Sequence, residues 1–251
     1  MIFCAHRPVP IPVKRDAFQT LSASFRFEGF FAKALEHDLT RGPPPMKPSR
    51  SIRIAWLLEE LGLDYKLHTW DRESSGLAPA EFKQFCETHL EKAPVLKDGR
   101  LTLQESGAIT EYLYEQYDDS HRLLPTDQAQ RAKFRKFIHA AEGAFMVHCL
   151  PTVYNQRIDA TIAEKLAPSI EKIVANDLDW LEAELKKGDG RHLVGDQVTA
   201  ADTMVAFSVQ FIFRMRLGPQ NRRWNDIEAW LRNVESEQAY QRAVAKTRHW
   251  L

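Results

Sequence analysis

The sequence predicts an α+β protein in which a small mixed α/β unit precedes a half made only of helices. Between residues 49 and 117 the spacing of apolar residues changes in the order helix, strand, helix, hairpin, helix. After Pro125 only the helical spacing occurs. Because the two kinds of element are segregated along the chain, we place the boundary between the halves at Asp118 to Thr126.

The first helix of the α/β unit begins near Ser49. Residues at i, i+3, i+4 and i+7 form its apolar face: Ile54, Leu57, Leu58 and Leu61. Gly62 is suited to end this helix, because glycine readily adopts the left-handed conformation that follows many helices. Residues 63–67 then alternate between apolar and polar, which predicts a strand.

A second helix and a hairpin complete the α/β unit. The second helix has Pro79 near its start and apolar residues at helical spacing after it. Asp98-Gly99 separates two short apolar runs, which is a strong indication of a hairpin. Residues 104–107 then lead into a third helix.

The second half contains three apolar stripes at helical spacing, within residues 134–148, 174–185 and 227–234. Between them, Thr199 followed three residues later by Asp202 predicts a capping box, with Asp in place of the usual Glu or Gln. This box is expected to fix the start of a buried helix.

The bulk properties exclude several classes of protein. Lys plus Arg and Asp plus Glu are 34 each, so the zero net charge does not indicate nucleic acid or an anionic membrane as a partner. No run is long and apolar enough to cross a bilayer. The three cysteines are far apart, which argues against a disulfide framework or a zinc site. We therefore expect a cytoplasmic protein without a metal.

Four short motifs, in this order, resemble those of the soluble glutathione S-transferases. They are Ser49 to Gly62, Lys92 to Leu96, Gln104 to Ile109 and Leu193 to Asp202. They resemble the first helix of fungal and bacterial serine-type members, the cis-proline loop, the glutathione-binding turn and the capping motif of the helical domain. The resemblance implies a thioredoxin-like domain over residues 46–119 and a helical domain over 126–251, with residues 1–45 an unassigned extension.

The resemblance also implies a site for glutathione. Ser106, at the start of a helix, would hold the γ-glutamyl carboxylate together with backbone N–H groups, and Glu105 would pair with the ammonium. Without the resemblance, Ser106 is equally well explained as a helix cap and Glu105 as a solvated acid of the first turn.

Pro94 would be cis, and the backbone of Val95 would then pair with the cysteinyl part of glutathione. The alternative is an ordinary trans proline at the entry of an edge strand. Lys92 would meet the glycyl carboxylate, or else be an ordinary surface lysine. Glu91 stands where the family usually has glycine.

Ser49 is the candidate for activating the thiol, because a hydroxyl that donates to the sulfur at the positive end of a helix favours the reactive thiolate. Ser49 could equally be only the cap of that helix. Several serine-type relatives have their serine one residue earlier, at the position that Pro48 occupies in this chain. Ser51 is a third candidate for activating the thiol. There is no cysteine near residue 48, which argues against deglutathionylation.

The family begins with a central β-strand immediately before this loop, yet Pro43, Pro44 and Pro45 precede it here. Three consecutive prolines cannot form a central strand. Three explanations stay open: the strand comes from further back, around Phe25 to Phe27, the sequence is a wrongly assembled gene product, or the protein is a diverged, weakly active member.

The resulting expectation is a homodimeric transferase that conjugates glutathione to hydrophobic electrophiles for detoxification, with no cofactor besides this co-substrate. By analogy with the family, Phe145, Met146, His148 and the segment around Tyr154 would face the electrophile; the alternative is that each of them belongs to the core. The rival readings are a non-catalytic binding relative, a dedicated biosynthetic enzyme and, less favoured, a subunit of a translation or signalling complex.

Overall fold

The computed structural model describes residues 1–5, 49–74 and 77–249. The strands are β1 (Ile2–Ala5), β2 (Tyr65–His68), β3 (Val95–Asp98) and β4 (Leu101–Gln104). The helices of the first half are α1 (Ser51–Glu60), α2 (Ala80–Cys86) and α3 (Ser106–Tyr117). Those of the second half are α4 (Gln128–Ala140), α5 (Val147–Ile158), α6 (Ala160–Lys186), α7 (Ala200–Arg214), α8 (Asn225–Glu235) and α9 (Gln238–Thr247). A π-helical segment, Ala141–Met146, joins α4 to α5.

The expected architecture is confirmed: a four-stranded sheet with helices is followed by an all-helical half. The helix, strand and hairpin predictions all hold to within a few residues. The boundary between α3 and α4 falls at residues 118–127, at the predicted composition change. None of the described helices has the length and apolar content that crossing a lipid bilayer requires.

The central strand of the sheet comes from the very start of the sequence. The strand order is β2-β1-β3-β4, so Ile2–Ala5 lies between β2 and β3. Treating residues 1–45 as one unassigned extension was therefore wrong for the first five residues. Phe25 to Phe27, named in one of the three explanations for the strand, lies outside the described residues, as does the proline run at 43–45.

The direction of β1 separates its end from the start of α1. The strand runs antiparallel to β2 and parallel to β3, with Ile2 beside Val95 and Ala5 beside Asp98. Val95 also pairs with Gln104, two residues before Ser106, so Ile2 lies at the Ser106 end of the sheet. The chain therefore leaves the sheet at the opposite end, instead of running directly into the Ser49 loop as the resemblance implied.

The alternation of side chains along β1 gives each face of the sheet its own core. Phe3 packs with Leu96 and helix α1 in the large core that continues into the helical half. Ile2 packs on the other face, in a smaller cluster with Phe82 and Cys86 of α2. Successive residues of a strand point to opposite faces, so β1 completes both cores at once.

Helix α7 is the central helix of the second half, and its start is fixed as predicted by the capping box of Thr199 and Asp202. The buried Asp202 carboxylate accepts hydrogen bonds from the backbone N–H and hydroxyl of Thr199, both at 2.9 Å. It also accepts from the backbone N–H of Leu193 at 2.9 Å and from Nε1 of Trp230 at 3.0 Å. This one side chain therefore ties the loop before α7 and helix α8 together.

Helix α1 joins the two halves. It packs against α9 and α7 as well as against α3. At its C-terminal end, Glu59 is buried and forms ion pairs with Arg242 at 2.8 Å and Lys246 at 2.5 Å, both on α9. Because α1 also packs on the sheet, its N-terminus has a fixed position between the halves.

Candidate functional site

The N-terminus of α1 presents two serines close together. The Ser49 hydroxyl donates to Oγ of Ser51 at 3.0 Å, and Oγ of Ser49 accepts from the backbone N–H of Ser51 at 3.3 Å. Ser51 is fully buried, whereas Ser49 is partly exposed. Of the two, Ser49 is therefore accessible to a small molecule. Pro48, the third position considered, lies outside the described residues.

One turn further along α1, Arg53 is completely buried. Its Nη1 donates to Oγ of Ser106 at 3.0 Å and to Oε1 of Glu142 at 2.5 Å. Its Nη2 donates to Oγ of Ser208 on α7 at 2.7 Å. The guanidinium also lies 5.1 Å from the ring centre of Phe207. One side chain of α1 thus reaches the N-terminus of α3, the π-helical segment and α7.

Arg50 and Glu142 form a second link between α1 and the π-helical segment. Nε and Nη2 of Arg50 donate to the two carboxylate oxygens of Glu142 at 2.6 and 2.8 Å. Burial would raise the pKa of Glu142, but the hydrogen bond from Arg50 and the charge of Arg53 outweigh it and lower the pKa. Burial lowers the pKa of Arg53 to about 10. Glu142 and Arg53 are therefore both charged at neutral pH.

The charges at this junction do not balance. Glu142 carries one negative charge, which it shares between the guanidinium groups of Arg50 and Arg53. These three side chains, which we call the arginine cluster, therefore carry a net charge of about +1. The cluster touches Ser106, the first residue of α3, where the helix itself offers unpaired N–H groups and a partial positive charge. The combination favours an anion at this place.

Two of the predicted glutathione residues lie together at the start of α3. Ser106 is buried and Glu105, immediately before it, is exposed. Glu105 has a backbone φ of 68°, in the left-handed region that non-glycine residues seldom adopt. Its side chain is a carboxylate beside an anion-favouring helix terminus, so the pair offers complementary contacts to a ligand that carries both charges.

The loop before β3 contains the predicted cis peptide bond, between Ala93 and Pro94. The role assigned to Val95 needs correction, because its N–H donates to the carbonyl of Met1 at 3.3 Å and is used within the sheet. Ala93, on the other side of the proline, is partly exposed, whereas Pro94 and Val95 are buried. Lys92 is exposed, and its carbonyl accepts from Nε2 of Gln104 at 3.0 Å.

Glu91 does not carry an unopposed charge into this loop. Its carboxylate lies 2.7 Å from Nζ of Lys83. Its backbone φ is 48°, the left-handed conformation that explains why glycine would be suited to this position. The ammonium of Lys83 therefore opposes the negative charge of Glu91 beside Lys92.

For two of the residues considered for the electrophile site, the structure agrees with the alternative that they are core. Phe145 and Met146 are buried, and Phe145 packs against Trp180 with ring centres 5.9 Å apart. They belong to the core, because the π-helical segment turns them inward. Tyr154, by contrast, is 53% exposed. Other exposed apolar side chains of α5 and α6 are Val147, Ile158, Ile162 and Leu166.

The cysteines lie away from the start of α1. Cys86 and Cys149 are buried, and Cys4 is partly buried in the sheet. Burial raises the pKa of the Cys149 thiol to about 12, so it stays protonated at neutral pH. Within the described ranges, no group of three or more His, Cys, Asp or Glu residues is placed to hold a metal ion.

Sequence reasoning missed Arg50, Arg53, Glu142 and Ser208. A usable signal existed for Arg53, since the residues around it in α1 are apolar and buried over more than one face. A charged residue inside such a helix must find partners. Ser208, among the apolar residues of α7, is the corresponding signal on the other side. Only the fold shows that these residues meet.

Comparison with known proteins matches both halves of the chain. The family model described as the N-terminal domain of glutathione S-transferase matches residues 46–115, and the C-terminal domain model matches residues 139–238. Glutathione S-transferase 1 of Saccharomyces cerevisiae is 26% identical over 220 residues, covering 80% of this chain and 92% of the yeast protein. Human glutathione S-transferase theta-2B is 32% identical over 162 residues, covering 63% of this chain and 64% of the human protein.

Comparison with solved structures also finds glutathione transferases. A glutathione S-transferase from Actinobacillus pleuropneumoniae has a TM-score of 0.68 and 32% identity, covering 81% of this chain and 90% of the bacterial one. A glutathione transferase homologue from Lodderomyces elongisporus, crystallised with glutathione, has a TM-score of 0.64. At 20% identity, over 79% of this chain and 95% of the other, it shows the shared fold alone.

Proposed function

Since this chain belongs to the soluble glutathione S-transferase family, we propose that it binds glutathione at the N-terminus of α3 and conjugates it, through its sulfur, to an apolar electrophile. The observation that carries the proposal is the position of Ser106. Ser106 begins α3 and accepts a hydrogen bond from Arg53 of the arginine cluster, which carries excess positive charge. These features support the binding of a small peptide's carboxylate at this place.

The γ-glutamyl end of glutathione fits the charges at this terminus. Its carboxylate would accept from the Ser106 hydroxyl and from the backbone N–H groups of the first turn of α3. Its ammonium would pair with the carboxylate of Glu105, which is exposed beside Ser106. The backbone of the cysteinyl part would pair with the loop at Ala93 and Pro94, and Lys92 would meet the glycyl carboxylate.

Ser49 is proposed to stabilise the thiolate. In the structure the single hydroxyl hydrogen of Ser49 is donated to Ser51. When glutathione binds, this bond would reverse, so that Ser51 donates to Oγ of Ser49 and Ser49 donates to the sulfur. The buried Ser51 thereby holds Ser49 in place, 3.0 Å away. The N-terminus of α1 and the nearby guanidinium of Arg50 add positive charge, which favours the anion. The thiol proton passes to solvent, and the thiolate forms a carbon–sulfur bond at the electrophilic carbon while that carbon loses its leaving group, which is chloride in the case of a chloronitrobenzene.

The apolar character of the electrophile follows from the start of α5. Glu142 contacts Arg50, the neighbour of Ser49, so the π-helical segment lies beside the proposed thiol site. One turn later Val147 is exposed, followed on the same helix by Tyr154 and Ile158. Exposed apolar side chains next to a reactive sulfur suit a hydrophobic substrate. We propose that the reaction serves detoxification, in a cytoplasmic homodimer.

The experiment is a calorimetric titration of the full chain with glutathione, combined with turnover of a chloronitrobenzene on the same preparation. We expect binding and turnover. Ser49→Ala should lower kcat by about tenfold to a hundredfold, the effect of losing a hydrogen bond of about 1.5–3 kcal/mol to a charged group. It should also move the pH profile of kcat/KM to higher pH, because the thiol loses its donor.

A matched control is Ser236→Ala, which removes an exposed hydroxyl at the end of α8 and should leave kinetics unchanged. A folded chain that does not bind glutathione would overturn the proposal. Binding without turnover of several apolar electrophiles would favour the binding relative or a narrow biosynthetic enzyme instead. Light scattering on the same sample tests the homodimer.

A further inference from the structure

A cavity of about 190 Å³ lies where α6, the end of α7 and the loop before α8 meet. None of its lining residues belongs to α1, α3 or α5, where glutathione and the electrophile are proposed to bind. Arg216 stands at its rim and is exposed to solvent. The apolar side chains of its wall are Leu178, Ile212, Phe213, Pro219 and Trp224.

Arg216 differs from the other charged residues of this cavity in having no opposite charge beside it. Arg222, which also lines the cavity, forms an ion pair with Asp179. Glu228, another lining residue, lies 2.6 Å from a guanidinium nitrogen of Arg223. Among the residues that the structure describes, no carboxylate lies within ion-pair distance of Arg216. Its positive charge is therefore available to an anionic ligand.

The guanidinium of Arg216 is held by Gln220. Nε of Arg216 donates to Oε1 of Gln220 at 2.9 Å. Nε2 of Gln220 donates in return to the carbonyls of Arg216 and Gly218, at 3.3 and 2.5 Å. Because Nε is already bound, the donors left for a ligand are those of Nη1 and Nη2. Two parallel N–H groups of this kind match the two oxygens of a carboxylate.

The backbone at Arg216 also favours this interpretation. Helix α7 ends in a left-handed turn, and Arg216 has a φ of 54° at a place where helices usually have glycine. The N–H groups of Arg216 and Leu217 donate to the carbonyls of Phe213 and Ile212, at 3.2 and 3.1 Å. These two carbonyls of the last turn are thus occupied, which weakens the repulsion that a helix C-terminus exerts on an anion. An arginine at a position suited to glycine is consistent with a use for its side chain.

We propose that this cavity binds a small aromatic carboxylate, with its ring against the apolar wall and its carboxylate on Nη1 and Nη2 of Arg216. A cavity of about 150 Å³ lined by Leu, Ile and Phe accommodates benzene. The volume of about 190 Å³ therefore has room for one ring that carries a small charged group. An inorganic anion would bind Arg216 but leave the apolar wall uncovered.

The alternative is that Arg216 only places a positive charge at the negative end of α7, which stabilises many helices. That role requires neither the cavity nor the fixed orientation by Gln220. It also predicts no affinity for an aromatic carboxylate. A pair of ligands of the same shape, one charged and one neutral, therefore separates the two roles.

The experiment follows the fluorine signal of 4-fluorobenzoate and of its neutral analogue 4-fluorobenzamide during titration with the full chain. We expect saturable binding of the benzoate, about tenfold tighter than that of the amide, because only the carboxylate forms a charged bidentate pair. Arg216→Gly removes the guanidinium and suits the left-handed backbone, so the variant should fold. It should bind the benzoate about tenfold more weakly and the amide unchanged. Arg216→Lys, which keeps the charge without the fork, should give an intermediate affinity.

Arg248→Gly is the matched control. Arg248 is also exposed, follows the end of α9 with a φ of 51°, and does not line the cavity. The same change there should leave both dissociation constants unaltered. Absence of saturable benzoate binding by wild type, or equal benzoate affinity of wild type and Arg216→Gly, would overturn the proposal. Since no glutathione is present, either result leaves the proposed transferase function untouched.

Discussion

Glu142 in the π-helical segment accepts two hydrogen bonds from Arg50 at the N-terminus of α1, at 2.6 and 2.8 Å. The same carboxylate also accepts a hydrogen bond from Nη1 of Arg53 at 2.5 Å. Arg50 directly follows Ser49, so this contact holds the proposed thiol site against the helical half. A π-helical turn inside a longer helix often occurs at a functional site, and here it turns Glu142 toward α1.

Replacing Glu142 by Gln tests whether this contact stabilises the junction. The variant leaves Arg50 and the fully buried Arg53 without a negative partner, and an uncompensated buried charge is costly. Because Glu142 is itself partly exposed, we expect a loss of about 1–3 kcal/mol in the free energy of unfolding, measured by urea denaturation at pH 7.5. Glu228→Gln, which breaks an exposed pair with Arg223, should cost less than about 1 kcal/mol. Equal losses in the two variants would contradict a special role for Glu142.

His249 should make stability depend on pH. Its side chain is buried, Nε2 has no partner within the described residues, and burial lowers its pKa to about 4. In the unfolded chain the pKa returns to its ordinary value, so the unfolded state binds more protons between these two values. The contribution of His249 to the free energy of unfolding is therefore fully present above about pH 6.5, and it is lost as the pH falls toward 4.

The corresponding measurement compares wild type with His249→Leu in urea at pH 7.5 and at pH 5. Wild type should lose about 2 kcal/mol more than the variant over this interval, because only wild type must keep a neutral imidazole buried. Identical pH dependence in the two proteins would show that His249 is hydrated in solution.

A disulfide reports the direction of the central strand. In the observed pairing Cys4 lies opposite Lys66 of β2, with Phe3 opposite Leu67. Directly opposed residues of antiparallel strands have Cα atoms about 4.5–5.5 Å apart, which is within the reach of a disulfide. We expect Lys66→Cys to form a bond with Cys4 on mild oxidation, detected by mass spectrometry of the digested protein.

The control for this crosslink is His68→Cys. His68 lies opposite Ile2, two residues from the partner of Cys4, and should remain reduced. If β1 ran the other way about Phe3, Cys4 would lie opposite His68 instead. The opposite pattern of oxidation would therefore show that β1 runs the other way, with Ala5 instead of Ile2 at the Ser106 end of the sheet.

These results explain how much the sequence could predict. The helices, the hairpin and the Thr199–Asp202 box follow from local spacing and turn chemistry, which the amino-acid order specifies directly. The direction of β1 does not follow from the local sequence. Ile2 and Cys4 flank Phe3 almost symmetrically, so either strand direction buries Phe3 on the same face. The contact between Arg53 and Ser106 joins residues far apart in the chain, and only the packing of α1 against α3 brings them together.

Asp202 should be the most sensitive capping residue of the protein. Each of its two carboxylate oxygens accepts two hydrogen bonds, from donors in the loop before α7, in Thr199 and in α8. Asp202→Asn replaces one oxygen by an NH₂ group, which confronts two of these donors with another donor in a fully buried site. We expect a loss of about 3 kcal/mol or more in the free energy of unfolding, measured in urea, since each unsatisfied buried group costs about 1–3 kcal/mol.

The control, Asp127→Asn at the exposed cap of α4, should change the free energy of unfolding by less than about 0.5 kcal/mol, because Asn caps helices as well as Asp does. A loss for Asp202→Asn as small as that for Asp127→Asn would mean that water reaches the Asp202 carboxylate.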